Sequence, residues 1–436
     1  LIPSIIGVFL FMVPIKCNGN ITIAVAVLSN MFKDILNDYI SYILTTILVI
    51  SGIMTIVGSI IKPKIILNNT FLNTLFNVSP LWLISRVLGS LFGVLVAFQI
   101  GPRIIIDETT GTFIFNELLT ILLSIFLFAG FLLPLLLNFG LLEFFGSLLT
   151  KFMRPIFNLP GRSSIDCITS WLGDGTLGII LTSKQYEDGF YTKREAAVIS
   201  TTFSAVSITF SLIIIQTVGL DNMFIPFYLT VSLAGIVAAI IVPRIPPLSK
   251  FDNSFYHNCK AENLSEEIPE GYNALSWGYK NAIKKAEEND IKSFVVDGFK
   301  NVLDMWFAVL PIVMCMATIA LIIAEFTPIF KILGLPFTPI LQLLRVPEAT
   351  AAAQTFVVGF ADMLLPATIA AKSISNEMTK FIVACVSVTQ LIYMSEVGGV
   401  LLGSKIPVKV HHLIIIFIER TLVTLPVIVL IANILF

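Results

Sequence analysis

The chain has 436 residues, of which 56% are hydrophobic and only 13% are charged. Soluble domains carry about 25% charged residues, so this composition excludes an ordinary soluble protein and indicates a polytopic integral membrane protein. The 27 basic and 28 acidic residues give a formal net charge of −1, which argues against nucleic acid as a partner. The five scattered cysteines form no CxxC pair, and no nucleotide-binding or catalytic motif occurs.

Nine apolar stretches predict helices that cross the bilayer, because about 20 apolar residues span about 30 Å of hydrocarbon. In chain order they are Leu1–Ile15, Tyr42–Ile61, Leu81–Ile100, Glu117–Phe144, Ala196–Val218, Phe224–Val242, Val302–Phe326, Phe381–Leu402 and Leu413–Phe436. Residues 18–36 start with polar side chains and predict an exterior re-entrant or amphipathic piece. Glu419 and Arg420, inside the last stretch, are interpreted as neutralising each other or pairing across helices.

Two further apolar stretches, residues 163–182 and 350–371, are interrupted at their centres. The interruptions are Gly173-Asp174-Gly175 in the first and Gly359 to Asp362, followed by Pro366, in the second. Each half is too short to cross the bilayer alone, and glycine or proline breaks the helix between the halves. The pattern predicts two re-entrant helical hairpins, since irregular backbone at membrane depth must be covered by protein or line a water-filled cavity. Ordinary kinked spans are the alternative.

The one long polar stretch, Arg244–Lys292, contains six lysines, which place it in the cytoplasm. With this orientation, the order helix, hairpin, helix, helix occurs twice in opposite directions. The predicted organisation is N-terminal scaffold helices 1–116, a first repeat 117–243 with hairpin 161–185, a cytoplasmic loop 244–295, and a second repeat 296–436 with hairpin 348–373. Inverted repeats with discontinuous helices are the recurring build of secondary transporters. Two oppositely oriented halves that form a static scaffold are the alternative.

Polar residues around the hairpin tips are the candidate binding residues, because helix ends leave N–H and C=O groups unpaired. The predicted substrate-binding set is Ser170, Trp171, Asp174, Thr176, Gln354, Thr355, Gln390, Tyr393, Ser395 and Glu396. A carboxylate at membrane depth is costly and usually faces a cavity or a partner, so Asp174, Asp362 and Glu396 are predicted to couple an ion.

Each of these predictions has a structural alternative. Asp174 and Asp362 could cap the second half of their own hairpins. Trp171 and Tyr393 could simply pack inside the bundle, and the hydroxyl-rich run at residues 200–209 could hold helices together. Glu396 could act as a cap only if its helix breaks at the neighbouring glycine pair, Gly398 and Gly399.

Four segments carry a resemblance that extends over nearly the whole chain: Ile2-Pro3-Ser4-Ile-Ile-Gly7, Arg86-Val-Leu-Gly89, Trp171-Leu-Gly173-Asp174-Gly175 and Tyr393-Met-Ser-Glu396-Val-Gly398. The chain resembles the bacterial YjiH family, whose nucleoside-recognition Gate domains are shared with the FeoB iron permeases and are similar to part of the concentrative nucleoside transporters. The resemblance implies a helix–hairpin–helix–helix inverted repeat. By position it points to Ser170, Asp174, Gln354, Thr355, Gln390, Ser395 and Glu396. The first tip reads Trp-Leu-Gly-Asp-Gly where those transporters carry a Gly-Gln-Thr-Glu type tip, which leaves the substrate open.

We therefore expect an all-α, multi-pass protein of the bacterial inner membrane that acts as a secondary active transporter. Its substrate would be a small polar organic solute, with nucleosides suggested by the resemblance, and its coupling ion Na⁺ or H⁺. We expect no other cofactor and no enzymatic activity, since no nucleophile–base pair is visible. A metal-ion permease of the Gate type and a non-transporting assembly or signalling component are the alternatives. Expected partners are the solute and the lipid bilayer, and the N-terminal helices could support a homo-oligomer.

Overall fold

A computed structural model describes residues 2–17, 20–36, 39–172, 175–203, 206, 208–256 and 272–436. Its N-terminal part begins with a short helix, a two-stranded antiparallel β-hairpin and a second helix, and continues as a helical bundle. The strands are Pro14–Cys17 and Asn20–Ile23. The helices of this part are Ile2–Met12, Ala24–Ile35, Ile40–Ile56 with the π-helical turn Val57–Ile61, Lys64–Asn68, Thr70–Phe76 and Pro80–Ala97.

The middle of the chain, from residue 103 to residue 250, is helical and rich in short pieces. Its α-helices are Arg103–Ile106, Gly111–Phe113, Thr120–Leu132, Pro134–Leu137, Leu141–Phe157, Ser163–Leu172, Gly175–Glu187, Lys193–Val198, Ile208–Thr217 and Phe224–Ile241. Its π-helical turns are Ile114–Leu119 and Ile199–Phe203, and its 3₁₀ turns are Asp221–Met223, Val242–Arg244 and Leu248–Lys250.

The C-terminal part, from residue 274, repeats much of this pattern. Its α-helices are Ala274–Glu287, Ile291–Asp304, Leu310–Phe326, Ile329–Gly334, Thr338–Leu343, Ala349–Phe356, Leu364–Ser373, Glu377–Thr389, Val397–Gly403 and Val410–Leu435. The turn Met305–Val309 is π-helical, and Leu335–Phe337 and Val357–Phe360 are 3₁₀ turns.

Within the described ranges, six helical stretches are long and apolar enough to cross a membrane. They are Ile40–Ile61, Pro80–Ala97, Arg103–Leu137, Phe224–Arg244, Ile291–Phe326 and Val410–Leu435. The fourth carries an exposed apolar stripe at helical spacing, formed by Ile225, Leu229, Leu233 and Ile236. Such a stripe is stable only against lipid or another protein. The chain is therefore a multi-pass membrane protein, and the prediction of a helical membrane fold is confirmed.

Three of the predicted spans are wrong as continuous crossings. The helix in Leu1–Ile15 ends at Met12 after 11 residues, because the chain turns into a strand at Pro14. Eleven helical residues reach only about 16 Å. The stretches Ala196–Val218 and Phe381–Leu402 are each interrupted in the middle, with helix resuming at Ile208 and at Val397.

One order of elements occurs twice in the chain: two short packed helices, a helix in two pieces, and a long apolar helix. The named elements are the first hairpin (Ser163–Leu172 and Gly175–Glu187), the first broken helix (Lys193–Phe203 and Ile208–Thr217), the second hairpin (Ala349–Phe356 and Leu364–Ser373), the second broken helix (Glu377–Thr389 and Val397–Gly403) and the last helix (Val410–Leu435). The order matches the predicted twofold repeat. The depth of both hairpins in the bilayer, their opposite orientation and the domain limits stay predictions.

Candidate functional site

The second broken helix lies at the centre of the molecule, since every residue from Phe381 to Ser395 is buried. Its first piece ends at Thr389, and Leu391 adopts a left-handed conformation with φ of 64°. A non-glycine residue in this region cannot continue a right-handed helix. The interruption therefore comes before the pair Gly398-Gly399, which lies inside the second piece and does not itself break the helix.

Tyr393 stabilises this interruption from within. Its hydroxyl lies 2.8 Å from the carbonyl oxygens of both Ser387 and Val388, to either of which it donates its proton. The same oxygen accepts the N–H of Leu391 at 3.2 Å. The phenol thus satisfies main-chain groups that the end of a helix leaves unpaired. Tyr393 was predicted as a substrate-binding residue, and the structure gives its hydroxyl main-chain partners.

The interruption is joined to the tip of the second hairpin by two main-chain hydrogen bonds. The N–H of Met394 donates to the carbonyl oxygen of Phe360 at 2.8 Å, and the N–H of Ser395 donates to that of Ala361 at 2.9 Å. These bonds pair main-chain N–H and C=O groups of two irregular segments with each other. Irregular backbone inside a membrane protein is tolerated where the protein itself supplies such partners.

Asp362 ties the same two segments together through its side chain. The hydroxyl of Ser395 donates to one carboxylate oxygen at 2.7 Å, and the N–H of Leu364 donates to the other at 2.8 Å. The second bond places Asp362 at the start of the second half of its hairpin, as the capping alternative predicts. The first bond shows that the carboxylate also reaches the neighbouring helix, so it joins two of the predicted site residues.

Gln390 presents an acceptor to the same tip. Its amide nitrogen donates to the carbonyl oxygen of Phe356 and to the hydroxyl of Thr421, both at 3.0 Å. Its carbonyl oxygen is buried and has no donor among the described residues. A Cβ atom on Gly359 would overlap this oxygen, so the glycine allows the close approach. A buried acceptor of this kind calls for a water molecule, a cation or a ligand donor.

Arg420, on the last helix, joins the two broken helices. Its guanidinium donates from Nε to the carbonyl oxygen of Thr389 at 2.9 Å and from Nη1 to that of Thr202 at 3.1 Å. Each carbonyl belongs to the end of the first piece of a broken helix, where the helix dipole places about half a negative charge. Together the two ends offset the single positive charge of the guanidinium. This charge compensation matters because the side chain of Arg420 is only 1% exposed.

Glu419 and Arg420 were expected either to neutralise each other or to pair across helices. The first expectation is wrong within the part of the chain that the structure describes, whereas Arg420 does pair across helices, with main-chain carbonyl oxygens. No salt bridge joins the two side chains there. Consecutive residues on a helix point in different directions, so they cannot readily neutralise each other. One carboxylate oxygen of Glu419 is buried without a hydrogen-bond partner in the described ranges.

A small cavity of about 30 Å³ lies beside the guanidinium. Trp171, from the tip of the first hairpin, lines it together with Tyr228, Thr389 and Arg420. A volume of this size holds one or two water molecules and no larger ligand. The first hairpin, both broken helices and the two long helices that follow them thus meet at one point in the protein interior.

The first hairpin is held by a buried polar network at its open end. Thr182 and Gln185 donate to the two carboxylate oxygens of Asp166, at 2.7 and 2.6 Å. Arg162 donates from Nε to the amide oxygen of Gln185 at 2.8 Å, and its guanidinium lies 3.7 Å from the ring centre of Phe190. These contacts fix the two short helices antiparallel and so position the tip at their other end.

The remaining predicted residues are less concentrated. Ser170 and Thr176 are buried on either side of the first tip, while Asp174 lies outside the described residues, so its role stays a prediction. Thr355 donates to a carbonyl oxygen of its own helix, and Gln354 is half-buried beside the helix Ile329–Gly334. Glu396 is half-buried and stands directly before Val397, where the second piece of the broken helix begins.

Four residues with structural roles at these sites were not among the predicted site residues: Arg420, Arg162, Asp166 and Gln185. For Arg420 the sequence did contain a sign. An arginine in the middle of an apolar span cannot reach the membrane interface, so it requires a buried acceptor. For the others, the spacing of polar residues on two adjacent short helices was the only sign.

Comparisons with known proteins identify a matching family, a sequence relative and a similar solved structure. Residues 119–221, which include the first hairpin and the first broken helix, match the Gate family, described as nucleoside recognition. An uncharacterized protein of Alkalihalophilus pseudofirmus is 52% identical over 437 residues, an alignment that covers 100% of this chain and 94% of that protein. The chain belongs to that protein's family.

The predicted Gate resemblance is confirmed by this match, and the YjiH assignment stays a prediction. A solved structure of CNTnw in an outward-facing state is also similar, with 13% sequence identity and a TM-score of 0.35. That alignment covers 94% of this chain and 97% of the other.

Proposed function

We propose that this Gate-family protein is a secondary active transporter of a small polar organic solute in the bacterial inner membrane. Nucleosides are the first substrate class, and transport is coupled to Na⁺ or H⁺ by alternating access around the two hairpins. The observation that carries the proposal is the match of residues 119–221 to a family described as nucleoside recognition, in a chain whose described residues include six long apolar helices.

The contacts at the centre of the molecule support a transport role. Two helices are interrupted inside the bundle, and discontinuous helices that meet a hairpin tip are the usual way in which secondary transporters build a binding site. The polar groups there include the carboxylate of Asp362 and the buried amide oxygen of Gln390. A nucleoside offers hydroxyl and amino donors to such acceptors, and an unmet acceptor at this depth would be costly.

In this proposal the predicted residues keep separate roles. Ser395 and Gln390 would contact the solute from the second broken helix, and Trp171 would contact it from the first tip. Asp362 and Glu396, together with Asp174, would serve the coupling ion. Arg420 would hold the two broken helices in register without touching the solute.

Among the alternatives, the described residues give no specific support to a metal permease, because they contain no group of three His, Cys, Asp or Glu side chains that could hold a metal ion. A failed transport test would favour the other alternative, a membrane assembly or signalling component.

Thermal unfolding of the purified full chain in detergent tests the binding part of the proposal. Uridine, adenosine and inosine would each be added with and without Na⁺ at two pH values, with ribose and free bases as controls. A ligand at 100 times its Kd stabilises the folded state by about 2.7 kcal/mol. We expect stabilisation by at least one nucleoside, lost in Gln390→Leu and retained in Ser373→Ala, an exposed position at the far end of the second hairpin. Stabilisation by none of the three nucleosides under any condition would contradict the substrate class.

A further inference from the structure

A second, larger cavity of about 130 Å³ lies away from the hairpin tips, at the open end of the first hairpin. Its charged lining residues come from three different parts of the fold: Lys184 and Glu187 from the first hairpin, Lys300 and Asp304 from helix Ile291–Asp304, and Lys405 from the segment after the second broken helix. By the predicted orientation, this lysine-lined cavity opens to the cytoplasm.

The two carboxylates of the lysine-lined cavity have few partners. Within the described ranges, neither Glu187 nor Asp304 forms a salt bridge, and Lys184 pairs instead with Asp188 at 3.7 Å. Glu187 accepts one hydrogen bond, from the hydroxyl of Ser183 at 3.3 Å. Two acidic groups that face one space without direct counter-ions favour a shared proton, because the second negative charge is unfavourable beside the first.

The electrostatics at Glu187 agree with this geometry. Burial, followed by the negative charge of Asp304, raises the pKa of Glu187 to about 7, although Lys184 and Lys405 act in the opposite direction. The charged and titratable groups around it are Lys184 on its own helix, Asp188 directly after that helix, Lys300 and Asp304 on the facing helix, Lys405, and the phenol of Tyr256.

Asp304 also stands at a distinctive point of its helix. It is the last residue before the π-helical turn Met305–Val309, and both end residues of that turn line the cavity. Single π-helical turns inside long helices occur frequently at functional sites. The acidic pair therefore lies where a hairpin that would move in alternating access contacts a long helix outside it.

We propose that Glu187 and Asp304 form a proton-binding site in the lysine-lined cavity, which takes one proton from cytoplasmic water and returns it there. With the proton bound, the pair carries one negative charge and the hairpin can move along helix Ile291–Asp304 with less unfavourable dehydration. Without it, two negative charges hold water in the cavity. The link to movement rests on the proposed transport function, whereas the proton site itself does not.

The melting temperature of the full chain in detergent as a function of pH tests the site directly. The folded state keeps a proton on Glu187 that the unfolded chain releases above about pH 4.5, so this contribution to stability is present at low pH and is lost as the pH rises through about 7. We expect Glu187→Gln to remove the part of this pH-dependent loss of stability that one titrating proton produces. Glu287→Gln, at an exposed position at the end of helix Ala274–Glu287, should retain it.

Asp304→Asn gives a second test that does not depend on the folding of the first variant. Removal of the neighbouring negative charge should move the declining window to lower pH without abolishing it. The proposal is overturned if Glu187→Gln keeps the wild-type profile, if Glu287→Gln loses it equally, or if Asp304→Asn leaves the window in place.

Uridine uptake into Na⁺-free proteoliposomes at pH 6 and pH 8 then tests the coupling role. Glu187→Gln should lose the pH dependence of uptake, and Glu287→Gln should keep it. Uptake by the wild-type protein that appears only when a Na⁺ gradient is added would overturn the coupling role and leave the transport function intact. No uridine uptake under either gradient would count against the transport function alone, because the melting profiles still decide the proton site. Unchanged pH dependence in Glu187→Gln would overturn the coupling role.

Discussion

The guanidinium of Arg420 donates a hydrogen bond to the main-chain carbonyl oxygen of Thr202, which lies 218 residues earlier in the chain, at 3.1 Å. The same side chain bonds the carbonyl oxygen of Thr389. One residue of the last helix therefore connects the interruptions of both broken helices. In an alternating-access protein, such a contact would keep the two interruptions together while the elements around them move.

Replacement of Arg420 by Gln should destabilise the protein by roughly 2–6 kcal/mol, because it leaves two buried carbonyl oxygens without full partners. Arg420→Lys should recover only part of this, since an ammonium group does not reproduce the planar fork that reaches two acceptors. Chemical denaturation of the detergent-solubilised protein measures both effects. Arg103→Gln, at an exposed position, should stay within about 0.5 kcal/mol of wild type. Equal losses at both arginines would refute the proposed bridging role.

The bond between Ser395 and Asp362 should appear as a coupling energy between the second hairpin and the second broken helix. Ser395→Ala, Asp362→Asn and the double variant form a thermodynamic cycle. A hydrogen bond to a carboxylate predicts a coupling of roughly 1.5–3 kcal/mol. Additive effects within error would mean that the two side chains do not interact in the folded protein.

The polar network of the first hairpin predicts a graded series. Gln185→Leu removes one hydrogen-bond partner from each of Arg162 and Asp166, while Glu143 still pairs with Arg162. It should cost roughly 3–6 kcal/mol, because each of the two lost hydrogen bonds to a charged group contributes roughly 1.5–3 kcal/mol. Thr182→Val removes a single hydrogen bond to Asp166 and should cost less, roughly 1.5–3 kcal/mol. Asp188→Asn, at an exposed position directly after this helix, is the control. If Thr182→Val proved more harmful than Gln185→Leu, the network would be organised differently.

Gly89 allows a close crossing of two helices, because a Cβ atom there would overlap the carbonyl oxygen of Pro311. Gly89→Ala should therefore cost roughly 1–3 kcal/mol through forced separation of the helices. Gly235→Ala is a matched control on another long helix, where no described atom lies within 4 Å of the added methyl group. That variant should be neutral or gain up to about 1 kcal/mol from helix propensity. Melting temperatures that fall equally for both would contradict the packing argument.

The sequence predicted the membrane class and the twofold order of elements well, for a physical reason. A bilayer requires long apolar helices, and an interruption by Gly, Asp or Pro leaves a clear mark in such a stretch. For the predicted span Phe381–Leu402, the only break considered was at Gly398-Gly399, which lies after the interruption that the structure shows. The helix stops before Leu391 instead, because Tyr393 and Arg420 satisfy the carbonyl oxygens at its end.

The candidate site was only partly predictable. Asp362, Gln390 and Ser395 were expected from polarity at membrane depth, and the structure brings them to one hairpin tip. Arg420 and Glu187 were not, because their importance depends on contacts with residues far away in the chain. A span pattern shows that a charge is buried, whereas its partners are set by tertiary packing.

The most direct test of the transport proposal is uptake of radiolabelled uridine and adenosine into proteoliposomes that contain the purified full chain. Inward gradients of Na⁺ or H⁺ would be applied separately, with protein-free liposomes and an Asp362→Asn variant as controls. We predict accumulation above the equilibrium level, dependent on one of the two gradients and lost in Asp362→Asn. Uptake no greater than in protein-free liposomes under either gradient would contradict nucleoside transport by this protein.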